Sequence, residues 1–144
     1  MSEILIKRFD PELPLPEYKT AGAAGFDLSA RMTVTVEPNS LGTVPLNVAM
    51  QAPEGYWIMF VARSSLQKKG LMMANGVAIM DADFCGDNDE YRAILYNFSG
   101  QAVTVERGER IVQAIVMPLL QFPIRPVESL ANPDRGGFGT TGRH

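Results

Sequence analysis

Apolar and polar positions alternate in short runs along this chain, and the runs are broken at intervals of 8 to 12 residues by Gly, Pro and Asn. Ile4 to Phe9 alternates as a short strand, and the Pro-rich connector Pro11 to Pro16 ends it. A small-residue stretch, Ala21 to Gly25, leads into Phe26-Asp27-Leu28-Ser29-Ala30. Met32 to Val36 is a strand by its Thr and Val content. After the turn Pro38-Asn39-Ser40, Gly42 to Met50 reads as one strand, confined by Pro45 to an edge or a bulge. Tyr56 to Ala62 is continuously apolar, the pattern of a strand buried on both faces. Arg63 to Gly70 is the one segment suited to a short helix, closed by Gly70.

Leu71 to Asn97 carries the strongest local signals. Asn75-Gly76 between apolar runs predicts a hairpin. Asp81, Asp83 and Phe84 follow on its second arm, then the polar loop Cys85 to Asp89, then the alternating run Tyr91 to Phe98. Ala102 to Glu106 reads as a strand, Arg107-Gly108-Glu109 as a turn, and Arg110 to Leu120 as a strand by its Ile, Val and Pro118. Many short strands with almost no helical periodicity predict an all-β sandwich or barrel. The Gly-rich end from Asp134 is expected to be mobile when free.

Composition narrows the function. A length of 144 residues suits one domain with its own core. The net charge of -3 provides no basic field, so nucleic acid is not an expected partner and an anionic ligand needs local Arg and Lys. No apolar run is long enough for a membrane span and no signal peptide is visible, which gives a cytoplasmic expectation. Cys85 is the only cysteine and His144 the only histidine. Most Ser-His and Cys-His nucleophile pairs and all His-based or structural zinc sites are therefore excluded, and acid–base work near neutral pH falls to carboxylates or to a group whose pKa is strongly shifted.

The candidate chemical groups each have two readings. Arg63-Ser64-Ser65 is either a surface Arg with two capping hydroxyls or an anion site where hydroxyls, backbone N–H groups and a guanidinium converge. Asp81 and Asp83 share a face if they lie on a strand, either as a solvated edge or as a general base or metal pair. Gly108-Glu109-Arg110 with Gln113 is either a turn with a surface ion pair or part of a site. Gly137 to Gly142 matches G-x-G-x-x-G but has no strand before it and no helix after it, so it is not a dinucleotide fingerprint. It is either a loose tail or an anion-wrapping segment, with Arg135 for charge and Phe138 for stacking.

Taken in order, five segments resemble the motifs of the trimeric dUTPases: Ala21 to Leu28, Ala62 to Leu66, Gly76 to Phe84, Arg107 to Gln113 and Arg135 to Gly142. The resemblance implies a distorted jelly-roll β-barrel over residues 1–131 and a homotrimer with shared active sites. The resemblance further implies that residues 132–144 form a flexible arm that closes a neighbouring subunit's site. It also implies hydrolysis of dUTP to dUMP and pyrophosphate. Asp81 then matches the carboxylate that orients the attacking water, and Phe84 matches a ring, usually Tyr, that packs on the deoxyribose and excludes a 2′-hydroxyl. Asn75 and Gly76 match the segment that reads uracil through backbone groups. Arg63, Ser64, Ser65 and Gln113 match phosphate contacts, and Arg135 and Phe138 match the γ-phosphate clamp and the uracil-stacking ring. Mg²⁺ is implied as a cofactor, held by substrate phosphates and water with no direct protein ligand.

Four positions depart from the family pattern. Glu90 comes three residues late, which reads as a loop insertion at Cys85 to Asp89. Arg135 stands only three residues before Phe138, Glu109 replaces the usual Asp, and Ser65 replaces the usual Gly. The Ser-Ser form also occurs in the related dCTP deaminases, so a deaminase is the first alternative. The strand Arg92 to Tyr96 lacks the acid that deamination needs. The second alternative is a nucleotide-binding barrel without turnover.

Overall fold

The computed structural model describes residues 2–139, and the fold is almost entirely β. Eleven strands run β1 (Leu5–Arg8), β2 (Phe26–Ser29), β3 (Val34–Val36), β4 (Leu41–Pro45), β5 (Val48–Gln51), β6 (Tyr56–Ala62), β7 (Leu71–Met73), β8 (Val77–Met80), β9 (Arg92–Asn97), β10 (Val103–Val105) and β11 (Arg110–Pro118). They form a four-stranded sheet β2-β11-β6-β8, a three-stranded sheet β4-β9-β7, and the pairs β1-β5 and β3-β10. Every pairing is antiparallel.

Alternation along the strands builds the core. Phe26 and Leu28 of β2, Ile58 and Phe60 of β6, Ala93 and Leu95 of β9 and Val112 and Ala114 of β11 point inward and share one apolar cluster. Gly25 sits where β2 meets β11, and a Cβ there would strike the Ala114 carbonyl. A side chain at this position would force the two strands apart. Asn97 is fully buried yet satisfied. Its Nδ2 donates to the Val36 and Gln101 carbonyls at 2.9 and 2.7 Å, and its Oδ1 accepts from the Ser99 N–H and hydroxyl at 2.8 and 2.7 Å.

Four expectations need correction. Gly42 to Met50 is two strands. Asn47, with φ 73°, breaks the run, and β4 and β5 join different sheets. Pro45 ends β4 on the edge of its sheet, where its missing N–H costs no ladder bond. Asn75-Gly76 does not make a hairpin, because β7 pairs with β9 while β8 pairs with β6. The tight turn is present, with the Gly76 N–H bonded to the Met73 carbonyl at 3.1 Å and the Val77 N–H bonded to the Asn75 carbonyl at 2.8 Å. It carries the chain from one sheet to another, and Gly76 supplies the positive φ of 71°.

The third correction concerns β6, which is buried on one face only. Trp57, Met59 and Val61 on the other face are partly exposed. Fourth, Asp81 and Asp83 do not share a strand face. β8 ends at Met80, and Asp81 to Phe84 form a turn closed by the Phe84 N–H to the Asp81 carbonyl at 2.9 Å. The segment Arg63 to Gly70 is a turn followed by a 3₁₀ helix at Gln67–Lys69, and Gly70 closes it with φ 88°. No regular element follows Pro118 among the described residues.

Candidate active site

β8 links two exposed turns. Asn75 and Gly76 precede it, and Asp81 to Phe84 follow it. Both ends are solvent-facing although Ala78 between them is buried in the core. The four residues of β8 separate Gly76 from Asp81, which puts the two roughly 16 Å apart at the usual strand rise.

At the first turn Gly76 lines a cleft of about 250 Å³ with Arg63, Ser64, Gln67 and Met73. The backbone of Gly76 is open there, with nothing within 4 Å of where a Cβ would stand. Arg63 enters from the end of β6, and its N–H is bonded to the Ile111 carbonyl at 3.0 Å. Its guanidinium donates to the Arg110 carbonyl at 3.0 Å and lies 3.3 Å from the Asp27 carboxylate. Arg110 reaches the same Asp27 oxygen at 3.5 Å. Two guanidiniums thus share one carboxylate, which orients both and leaves a net positive charge.

Ser64 and Ser65 are exposed. The 3₁₀ turn begins at Leu66 without a side-chain cap, so neither hydroxyl is used for capping. Gln113 lies on β11, opposite Asp27 on one side and Val61 on the other, and half-buried. Its register partner Asp27 is the carboxylate that the two arginines share.

At the second turn Asp81 is exposed and lies beside Met50, Trp57, Met80 and Tyr91. Phe84 borders an open cleft of about 420 Å³ with Met80, Asn88, Asp89, Glu90 and Arg92. Its ring leans on Tyr91 at 6.1 Å, and Tyr91 in turn stacks on Phe60 at 5.8 Å. Burial pushes the Tyr91 phenol well above its ordinary value, so it stays neutral. The chain therefore brings Arg63, Ser64 and Gly76 around one cleft, and Asp81 and Phe84 onto the two ends of one turn. It does not join these two groups. Arg135 and Phe138 lie on the segment after β11, with Phe138 fully exposed. Thr140 to Gly142 of the last motif fall outside the described residues.

Two features escaped sequence reading. Asp27 anchors both arginines, and its signal was the Phe26-Asp27-Leu28 alternation that turns it outward beside Gln113. Glu90 is buried and grips Arg31, a partner 59 residues away, and no local pattern announces that contact.

Among the described residues no group of three or more His, Cys, Asp or Glu side chains is placed to hold a metal. No helix among them is long and apolar enough to cross a membrane.

Comparison with known proteins bears on the family. The dUTPase family profile matches residues 11–142. The deoxyuridine 5′-triphosphate nucleotidohydrolase of Hydrogenobaculum sp. (strain Y04AAS1) is 36% identical over 97% of this chain and 98% of its own. The protein of that name from Anaeromyxobacter sp. (strain Fw109-5) is 39% identical over 92% of this chain and 90% of its own. The crystal structure of the dUTPase from Streptococcus mutans superposes with a TM-score of 0.74 at 30% identity, covering 82% of this chain and 98% of that one. A profile match over nearly the whole chain, full-length relatives and a shared architecture together establish that this chain belongs to the dUTPase family.

Proposed function

We propose that this chain hydrolyses dUTP to dUMP and pyrophosphate, with Asp81 activating the water that attacks the α-phosphorus. Family membership supplies the substrate and the reaction. The observation that carries the residue assignment is the β8 unit. An open backbone turn at Asn75-Gly76 stands at one end, and an exposed carboxylate and ring stand at the other. A fixed backbone reads uracil well, because cytosine exchanges an acceptor for a donor and leaves buried groups unpaired. Phe84 offers a flat apolar face to a deoxyribose, and packing needs no phenolic hydroxyl.

Arg63, Ser64, Ser65 and Gln113 bind the triphosphate in this reading. A guanidinium already oriented by Asp27, as that of Arg63 is, costs little reorganisation when charge develops on the phosphorus. Mg²⁺ fits this donor set as an ion held through phosphates that these residues bind, and when bound it neutralises part of the triphosphate charge.

The site is completed by neighbouring copies in a homotrimer. Two observations support this. First, the candidate groups on one chain lie apart. Second, apart from Gln113 the outer face of β11-β6-β8 is apolar and partly exposed. Ile115, Met59 and Ile79 form one row across it, with Val61 and Val77 beside them and Met117 and Trp57 beyond. Ile79 is 59% exposed and Val77 43%. A charged or solvated sheet face needs no such residues, whereas a neighbouring copy would bury them. Residues 132–144 act as the arm, with Arg135 at the γ-phosphate and Phe138 stacked on uracil in a neighbour's site.

Assaying dUTP, dCTP, dTTP and UTP for pyrophosphate and ammonia tests the proposal. Pyrophosphate from dUTP alone is expected. Ammonia from dCTP would replace the reading with deamination, and binding without turnover would replace it with the non-catalytic barrel.

A further inference from the structure

We propose that Glu90 is a positioning residue for the sugar-binding side of the site. Its clasp on Arg31 fixes the far end of the Cys85–Asp89 loop and, through Tyr91, holds the Phe84 ring where it rejects a 2′-hydroxyl. The inference rests on the reading of Phe84 given above.

The loop is almost wholly exposed and mostly bonded to itself. The Gly86 N–H donates to Asp89 Oδ2 at 2.8 Å, and the Asp89 N–H donates to the Gly86 carbonyl at 3.1 Å. One outside bond, from Lys7 Nζ to the Asp87 carbonyl at 2.8 Å, lies at the surface. Phe84 opens this loop and Glu90 follows it. Glu90 is therefore the first buried residue by which the barrel grips the chain.

The grip is strong and specific. The Glu90 side chain is only 4% exposed. It accepts from Arg31 Nε at 2.7 Å, from Arg31 Nη2 at 2.9 Å and from the Asn47 N–H at 3.0 Å. Arg31 is itself held, its N–H on the Pro45 carbonyl at 2.8 Å. Asn47 is anchored by Asp10, whose N–H donates to Asn47 Oδ1 at 2.6 Å and whose carbonyl accepts from Asn47 Nδ2 at 3.1 Å. The next residue, Tyr91, bonds to Val48 and Leu46 through its backbone at 2.8 Å each and carries the ring on which Phe84 leans. The path from clasp to ring thus runs from Glu90 to its chain neighbour Tyr91 and across the ring contact to Phe84.

Stability alone is a poor reason for this pair. Desolvating a carboxylate and a guanidinium offsets most of their attraction, and an apolar pair of similar volume often does as well. What the pair supplies is one register for the chain as it leaves a five-residue exposed loop.

The test compares kcat/KM for dUTP, UTP and dTTP in the wild type, Phe84→Ala, Glu90→Gln, Arg31→Lys and the double variant Arg31→Met with Glu90→Gln. Gln keeps an acceptor for the Asn47 N–H, and the double variant removes the unpaired guanidinium, so it keeps the test readable where Glu90→Gln unfolds. Thermal melting establishes folding in each. Glu90→Gln and the double variant are expected to lower the preference for dUTP over UTP about tenfold, in parallel with Phe84→Ala, with Arg31→Lys between them and wild type. Preference for dUTP over dTTP stays unchanged, because the uracil turn lies at the other end of β8.

A merely structural role would lower all three substrates together, and that result overturns the proposal. So does a folded double variant with wild-type preference for dUTP over UTP while Phe84→Ala loses it. If Phe84→Ala itself leaves that preference intact, the reading of Phe84 falls and the proposal falls with it. A wild type without dUTP turnover removes the proposed function itself.

Discussion

Asp81 is an exposed carboxylate at the end of a strand, fixed in place by a turn that uses its backbone carbonyl and leaves its side chain free to meet substrate. Asp81→Asn keeps the size and removes the base. Turnover should fall by a factor on the order of 100 or more with dUTP binding retained, since general base catalysis contributes on that scale. Near-normal kcat in single-turnover assays would remove Asp81 from this role. Asp83, two residues on, sits inside the same turn and takes no part in the proposed chemistry.

Tyr91 shows how burial sets a residue's charge. Its phenol is pushed above the ordinary Tyr value, chiefly by desolvation. The neutral form is therefore favoured by the folded state, and the stability this provides is complete below about pH 10, the unfolded value, and is lost as pH rises beyond it. Tyr91→Phe should leave the urea midpoint near neutral pH little changed and flatten its fall above pH ~10. Parallel alkaline curves for the two proteins would contradict this. The residues proposed for the site were visible in the sequence as an acid, a ring and an arginine at the boundaries of apolar runs. Glu90 and Asp27 were not, because their meaning lies in partners 59 residues away for Glu90 and on other strands for Asp27.

The elements were legible where a signal is local. Tyr56 to Ala62 is β6 as expected, and Arg110 to Leu120 becomes β11, which ends at Pro118. The Asn75-Gly76 turn is also present, but a dipeptide specifies chain reversal and says nothing of which strand pairs with which. Here β7 and β8 pair with β9 and β6, and the turn is the corner between two sheets. The apolar run of β6 was read as burial on both faces, and one chain provides cover for only one of them. The proposed trimer resolves this, since copies packed on that face would cover Met59, Ile79 and Ile115. Ile79→Lys places a charge in the centre of that face without touching the core. It should give a folded monomer by light scattering, with dUTP turnover lost. An intact oligomer of full activity would show that the face lies outside the interface.

At the scale of the molecule, the sequence conveyed an all-β sandwich or barrel through its many short strands, and the family, with its jelly-roll barrel, through motif order. It did not convey the sheet partners, which depend on contacts between distant parts of the chain, and it pointed to shared sites, and so to the separation of the candidate groups, only through the family resemblance. That separation is the basis of the account: one chain carries every candidate group but does not bring them together. The most direct measurement mixes two inactive variants, Phe138→Ala and Asp81→Asn, under conditions of proven subunit exchange. If Asp81 of one chain meets Phe138 of another, random assortment should restore up to about a quarter of wild-type dUTP turnover, since about one site in four pairs two intact residues. Activity no greater than that of the two variants assayed separately would contradict a site shared between chains.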